Sequence, residues 1–270
     1  MSDTVTLPIP AAAPAPVLPA VGPLAATATM VRRSLRLGLR NVDGLIIALV
    51  LPITLMLVFV HLFGGAIDTG IDYVDYVVPG VLLLCTGYGA SLTAVSVSED
   101  LTGGIVDRLR SMDVGALPLL TGHVVAGVVR NGLSTALVLA VAVLNGFRPQ
   151  ASPLGWLAAL GLLALYVVAM SWVSAAIGLL VRSPEAAGGF SFFVLFLPYP
   201  SSGFVAVDTM PGWLQGFAEH QPLTPVIGAL RALLLDQPVG DDAALAVAWC
   251  GGLLVGSMVA SAALFRHRFH

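Results

Sequence analysis

The side chains that could do chemistry here are few, and the missing types narrow the function first. All twelve basic residues of the 270-residue chain are arginine, with no lysine. A phosphate-cradling loop of the form G-x-x-x-x-G-K-[ST] therefore cannot be written, and neither can a Schiff base on a lysine amine. The chain is not itself a P-loop ATPase. The five histidines, His61, His123, His220, His267 and His270, show no H-E-x-x-H spacing, and Cys85 and Cys250 stand singly in apolar runs, where a thiol behaves as a small hydrophobe. No metal or redox role is assigned to them. A G-x-S-x-G nucleophile elbow is absent, and the serines within the apolar runs have no base partner, so an intramembrane enzyme finds no support. A net charge of −3 with a pI near 5.9 lacks the basic surface that nucleic-acid binding requires.

The polar stretch with most content runs from Glu99 and Asp100 through Gly103, Gly104, Asp107, Arg108 and Arg110 to Met112 and Asp113. Ile105, Val106, Leu109 and Met112 recur at helical spacing while Asp107, Arg108 and Arg110 stay polar, a pattern suited to a surface helix facing a soluble partner and equally to an ordinary charged loop helix. Arg130 is the only charge inside its apolar run. It is expected to snorkel towards the cytoplasm or to pair with a loop carboxylate, contact with an anionic substrate being the alternative. His61 is expected at headgroup level. No Asp or Glu falls at mid-depth, whereas ion-coupled transport needs titratable groups there, so the energy source is expected outside this chain.

The elements that must position these groups follow from composition. A soluble domain carries about a quarter charged residues; this chain has 10%, with 57% apolar residues and a mean hydropathy of +0.94. Its solvent is lipid. About 20 apolar residues cross the hydrocarbon core as a helix, and charge-poor runs predict six spans: Leu45–Phe63, Tyr76–Ser98, Pro118–Phe147, Pro149–Val181, Ala186–Val207 and Ala243–Phe265. Residues 1–24, with prolines from Pro8 to Pro23 among alanines, read as a disordered Pro/Ala-rich tail without a secretory signal. Residues 25–42 set Arg32, Arg33, Arg36 and Arg40 on one arc and Val31, Leu35, Leu39 and Val42 on another, which predicts an amphipathic interfacial helix or a basic stretch that only fixes topology. With both termini cytoplasmic, the inner segments hold Arg32, Arg33, Arg36, Arg40, Arg108, Arg110, Arg182, Arg266 and Arg268 and the outer loops only Arg148 and Arg231, as the positive-inside rule demands. Gly252, Gly256 and Ala260, and Ser174 with Gly178, repeat every four residues and allow close helix approach, within a subunit or between two.

The segment Gly103 to Met112, G-G-I-V-D-R-L-R-S-M, resembles the cytoplasmic coupling segment of type-2 ABC exporter permeases, in particular the daunorubicin-resistance branch. Pro211 to Pro225, followed by A-L-R-A-L-L at Ala229 to Leu234, is similar to the outer segment before that family's last span, and S-G-F at Ser202 to Phe204 adds to the likeness. The family's proline after the R-S-[LM] triplet is replaced here by Asp113, the next proline being Pro118.

The resemblance implies an all-α membrane protein. Its expected parts are six transmembrane helices, the N-terminal interfacial helix, a cytoplasmic coupling helix between spans two and three, and outer re-entrant helices between spans five and six, with residues 25–270 forming one permease domain. It implies a plasma-membrane subunit without catalytic activity or bound cofactor, ATP and magnesium being held by a separate ATP-binding subunit, two per complex, that docks on Glu99, Asp100, Gly103, Gly104, Asp107, Arg108, Arg110 and Met112. A second permease copy or a paralogue completes the pair. The substrate is expected to be hydrophobic or amphiphilic, such as a drug, antibiotic or lipid, with a polysaccharide or lipid-linked glycan as the alternative. Spans two and five line the family's path, so Phe192, Phe196, Tyr199, Ser202 and Phe204 are its candidates here, their aromatic rings suiting an amphiphile.

Overall fold

The computed structural model describes residues 22–105 and 116–269. Nine α-helices account for most of them: α1 (Pro23–Arg40), α2 (Val42–Val58), α3 (Tyr73–Thr102), α4 (Ala116–Leu144), α5 (Pro153–Leu180), α6 (Pro184–Phe196), α7 (Gly212–His220), α8 (Leu223–Leu234) and α9 (Asp242–Phe269). A π-helical turn, Phe59–Phe63, extends α2. No strand occurs among the described residues.

Local chemistry sets the helix ends. Pro23 opens α1 inside the stretch read as tail, since proline at the first helical position lacks only a donor that would be orphaned anyway. Asn41 separates α1 from α2 and caps the latter, its Oδ1 accepting from Gly44 N at 3.0 Å. Ser152 before Pro153 and Ser183 before Pro184 cap α5 and α6 through bonds from Gly155 N (3.1 Å) and Ala186 N (3.3 Å).

Among the described residues, five elements are long and apolar enough to cross a membrane: Val42–Phe63, Tyr73–Thr102, Leu117–Leu144, Pro153–Leu180 and Asp242–His267. The expected fifth span is different. Helix α6 stops at Phe196, ahead of Pro198 and Pro200, and its 13 residues reach about 20 Å, short of a full crossing. The chain nevertheless continues along α3: Ser91 bonds Ser191 (2.8 Å), Val194 lies against Gly87, the Gly203 backbone touches Gly80, and the Tyr73 hydroxyl donates to the Phe204 carbonyl at 2.8 Å.

Helix α3 is the buried centre, packed by α2, α4, α5, α6 and α8. A second difference concerns α1. Met30 lies over Gly122 and Gly38 over Arg130, so α1 runs beside α4 in the same direction for at least two turns. Met30 and Phe265 both pack around Leu119, which puts α1 and the end of α9 at the Thr102 end of the bundle. Helices α7 and α8 lie at the Tyr73 end, where Gln150 N bonds the Leu234 carbonyl. Ile46, Ile47 and Val50 on α2 and Val255 and Val259 on α9 are exposed, an apolar surface that requires lipid or protein against it.

Candidate functional site

At the Thr102 end, three helices converge on one carboxylate. Asp100, one turn before the start of the Gly103–Met112 segment, is buried and accepts from Arg33 Nη1 at 2.7 Å and Nη2 at 2.9 Å, the two-pronged geometry that suits guanidinium and carboxylate planes. His123 Nε2 lies 2.9 Å from the same Asp100 Oδ2. One side chain thereby ties α3 to α1 and α4. The bond to Asp100 also holds the Arg33 pKa above its ordinary value.

The candidate coupling residues divide around this knot. Asp100 faces inward, Glu99 is exposed, and Gly103 closes α3 with its N–H on the Glu99 carbonyl at 2.8 Å. Gly104 has a φ of +72°, a left-handed turn that glycine adopts without steric cost, and it turns the chain out of α3. Asp107, Arg108, Arg110 and Met112 lie outside the described residues.

Above the knot, Thr93, Arg130, Asn131, Ser134, Ser171 and Ser174 form a buried polar seam between α3, α4 and α5, each with at least one side-chain polar atom that lacks a hydrogen-bond partner. Arg130 differs from the sequence expectation. It meets no carboxylate among the described residues; its Nη2 donates to the Gly89 carbonyl at 3.2 Å, and α1 lies against it at Gly38.

The aromatic candidates separate in the same way. Phe192, Phe196 and the neighbouring Phe193 are exposed on α6, presenting rings to whatever covers this face. Phe204 is almost fully buried, stacked on Tyr199 at 4.9 Å and tilted against Phe59 at 4.7 Å. Ser202 contributes its carbonyl to Arg231 Nη2 at 2.6 Å, and Arg231 also donates to the Tyr76 carbonyl and sits 3.7 Å over the Tyr76 ring. Arg231 thus pins α8 and the 198–204 turn to α3.

His61 is exposed and bonds Asn145 at 3.1 Å. Sequence reasoning gave His123 no role, placed Arg231 only in an outer segment, and read Arg33 as part of an amphipathic interfacial helix or of a topology-fixing basic stretch, none of which foresaw their contacts. The available signal was for the seam: Arg130, Asn131, Ser134 and Thr135 within one apolar run, and Ser171 with Ser174 in the next, are the kind of intramembrane polar residues that need partners.

The profile of the ABC-2 type transporter family matches residues 25–235. The chain belongs to this family. The ABC-2 chain is 29% identical over 226 residues to the daunorubicin resistance ABC transporter permease protein DrrB1 of Streptomyces coeruleorubidus, covering 83% of this chain and 80% of that one. It is 24% identical over 234 residues to the probable doxorubicin resistance ABC transporter permease protein DrrC of Mycobacterium tuberculosis, covering 86% and 85%. As an ABC-2 permease it is a multi-pass membrane transport subunit rather than a catalyst, and membership implies an ATP-binding partner.

Proposed function

We propose that this permease is the membrane half of an ATP-driven exporter that moves hydrophobic or amphiphilic compounds, of drug, antibiotic or lipid type, out of the cell. The observation that carries the reading is the family match over residues 25–235 together with relatives whose names state daunorubicin and doxorubicin resistance. The same names favour an amphiphile over a glycan as cargo.

In this proposal two permeases, identical or paralogous, pair in the plasma membrane, and each engages one of two ATP-binding subunits through Gly103 to Met112. Arg108, Arg110 and Asp107 make the polar contacts, with Glu99 beside them. Asp100 serves from behind, since a load on the segment passes through its bonds to Arg33 and His123 into α1 and α4. The aromatic face of α6, with Phe192 and Phe196, and the ring cluster of Tyr199 and Phe204 near Ser202 line the way out. ATP and magnesium belong to the partner.

The test is co-expression with an ABC ATP-binding subunit in cells sensitive to an anthracycline. The pair should lower intracellular drug, and neither subunit alone should do so. Arg108→Glu should weaken co-purification of the ATP-binding subunit by about tenfold or more, the consequence of losing one charged contact at an interface, while insertion persists through the remaining inner arginines. ATP turnover by the permease alone, or full efflux by Arg108→Glu, overturns the reading.

A further inference from the structure

We propose that the cavity between α1, α3 and α4 is a binding site for the phosphoethanolamine headgroup of a membrane lipid, its phosphate turned towards Arg130 and its ammonium towards Glu99. The site is separate from the export path and requires only that the protein sits in a bilayer.

The cavity holds about 200 Å³. Drug-sized sites run to roughly 300–1,000 Å³, so the occupant is smaller than an anthracycline. Its lining brings donors from three helices together: Ser34 from α1, Thr93 and Ser96 from α3, and His123 and Arg130 from α4. Ser34 and Thr93 are buried to 4% and 1% exposure, and both hydroxyls lack a hydrogen-bond partner.

Arg130 is the decisive group. Its guanidinium has one bond, from Nη2 to the Gly89 carbonyl; Nε is buried without a partner, and Nη1 lies 3.7 Å from where a Cβ on Gly38 would sit. The other arginines inside the bundle are satisfied: Arg33 by Asp100, and Arg231 by two carbonyls and a ring. An unpaired guanidinium at membrane depth is costly and calls for an anion or a set of acceptors. Donors converging from three helices fit the tetrahedral oxygens of a phosphate better than a planar carboxylate, which two donors saturate.

Two carboxylates also line the cavity, and they select the rest of the ligand. The charge on Asp100 is matched by Arg33 at 2.7 Å, so it does not oppose a phosphate. Glu99 is exposed and has no ion-pair partner among the described residues. One unmatched cation inside and one unmatched carboxylate at the edge are complemented by a zwitterion with its anion inward. A primary ammonium donates hydrogen bonds to Glu99, which the quaternary group of phosphocholine cannot do.

The experiment is native mass spectrometry of the full-length protein in neutral detergent, incubated with equimolar phosphatidylethanolamine, phosphatidylcholine and phosphatidylglycerol of the same acyl chains. One phosphatidylethanolamine per protomer should be retained about tenfold over either competitor, the scale of one charged hydrogen bond. Arg130→Gln should reduce retention of phosphatidylethanolamine and phosphatidylglycerol alike, whereas Glu99→Gln should remove only the preference between them. Should Arg130→Gln fail to fold, the pair Ser34→Ala and Thr93→Val, which deletes two hydroxyls that bond nothing in the protein, should lower retention by about tenfold. Equal retention of the three lipids by the unmodified protein, or unchanged retention in the hydroxyl variant, overturns the proposal. Binding of free phosphoethanolamine with no retained lipid overturns the lipid source in favour of a soluble phosphoester. None of these readouts depends on ATP or export, so this site and the exporter reading stand or fall separately.

Discussion

Asp100 joins three helices, which meet on its carboxylate. Removing one member of a buried pair costs about 3–5 kcal/mol, since the remaining charge stays desolvated. Arg33 retains 28% side-chain exposure, so Asp100→Asn should fall at the low end, about 3 kcal/mol. Arg33→Ala leaves Asp100 its His123 partner and should cost about 1–2 kcal/mol. Thermal unfolding in detergent should therefore rank Asp100→Asn below Arg33→Ala, with the double variant Arg33→Ala/Asp100→Ala less damaged than the sum of its parts. Identical midpoints for the parent and Asp100→Asn would remove the knot from the account. Each of these residues was visible in the sequence, Asp100 even as a site candidate, but their meeting was not. Arg33 and Asp100 stand 67 positions apart, and nothing in spacing or composition joins them.

Elements were more legible than contacts. The charge-poor apolar runs placed the long helices within a few residues, whereas the fifth run was carried to Val207 across Pro198, a local stop signal ahead of which α6 ends. The course of α1 beside α4 was not legible, since an arginine-and-leucine arc is equally amphipathic against lipid or protein. Small-residue spacing was half legible in the same sense. A Cβ on Gly178 would fall 2.6 Å from the Ala94 carbonyl oxygen and 2.8 Å from Val97 Cβ, so the Ser174–Gly178 pair serves packing of α5 on α3. Gly252 and Gly256 on α9 meet nothing within 4 Å. Gly178→Leu should therefore lower protomer stability by about 3 kcal/mol or prevent folding, as overpacking against fixed backbone does, while Gly256→Leu should stay within about 0.5 kcal/mol. Unfolding midpoints and size-exclusion profiles of the two variants check the contrast. A folded protomer that loses its oligomer in Gly256→Leu would show that this stripe faces a second subunit, and a destabilised monomer would contradict the open surface seen on α9.

At the scale of the whole molecule, the number of crossings fixes where the C-terminus emerges. Five long helices alone would put the two ends of the chain on opposite sides of the membrane, and Arg266 and Arg268 would then lie outside. The path of residues 184–204 argues for a sixth crossing. It follows α3 from Ser91 to Tyr73, 18 residues of helix or about 27 Å, close to the hydrocarbon thickness of about 30 Å. Helix α6 supplies only the first part of that distance, Ser191 to Phe196 or about 8 Å, and the 197–204 turn, buried against Gly80, Phe59 and Arg231 rather than exposed to lipid, supplies the rest. Irregular backbone is tolerated at membrane depth when protein covers it. The shared packing of Met30 and Phe265 around Leu119 agrees with an even number of crossings, because it brings α1 and the end of α9 to one end of the bundle. If both ends share that side, the positive-inside rule predicts, from the nine-to-two arginine bias, that it is the cytoplasmic one. A reporter that fluoresces only in the cytoplasm should be bright when fused after His270 and dark when inserted between Asp236 and Gly240, and an export-dependent phosphatase should give the reverse pattern. Phosphatase activity at the C-terminal fusion would mean that residues 184–204 enter and leave the membrane on one face, and the arrangement of the 198–204 turn as the end of a crossing would be wrong.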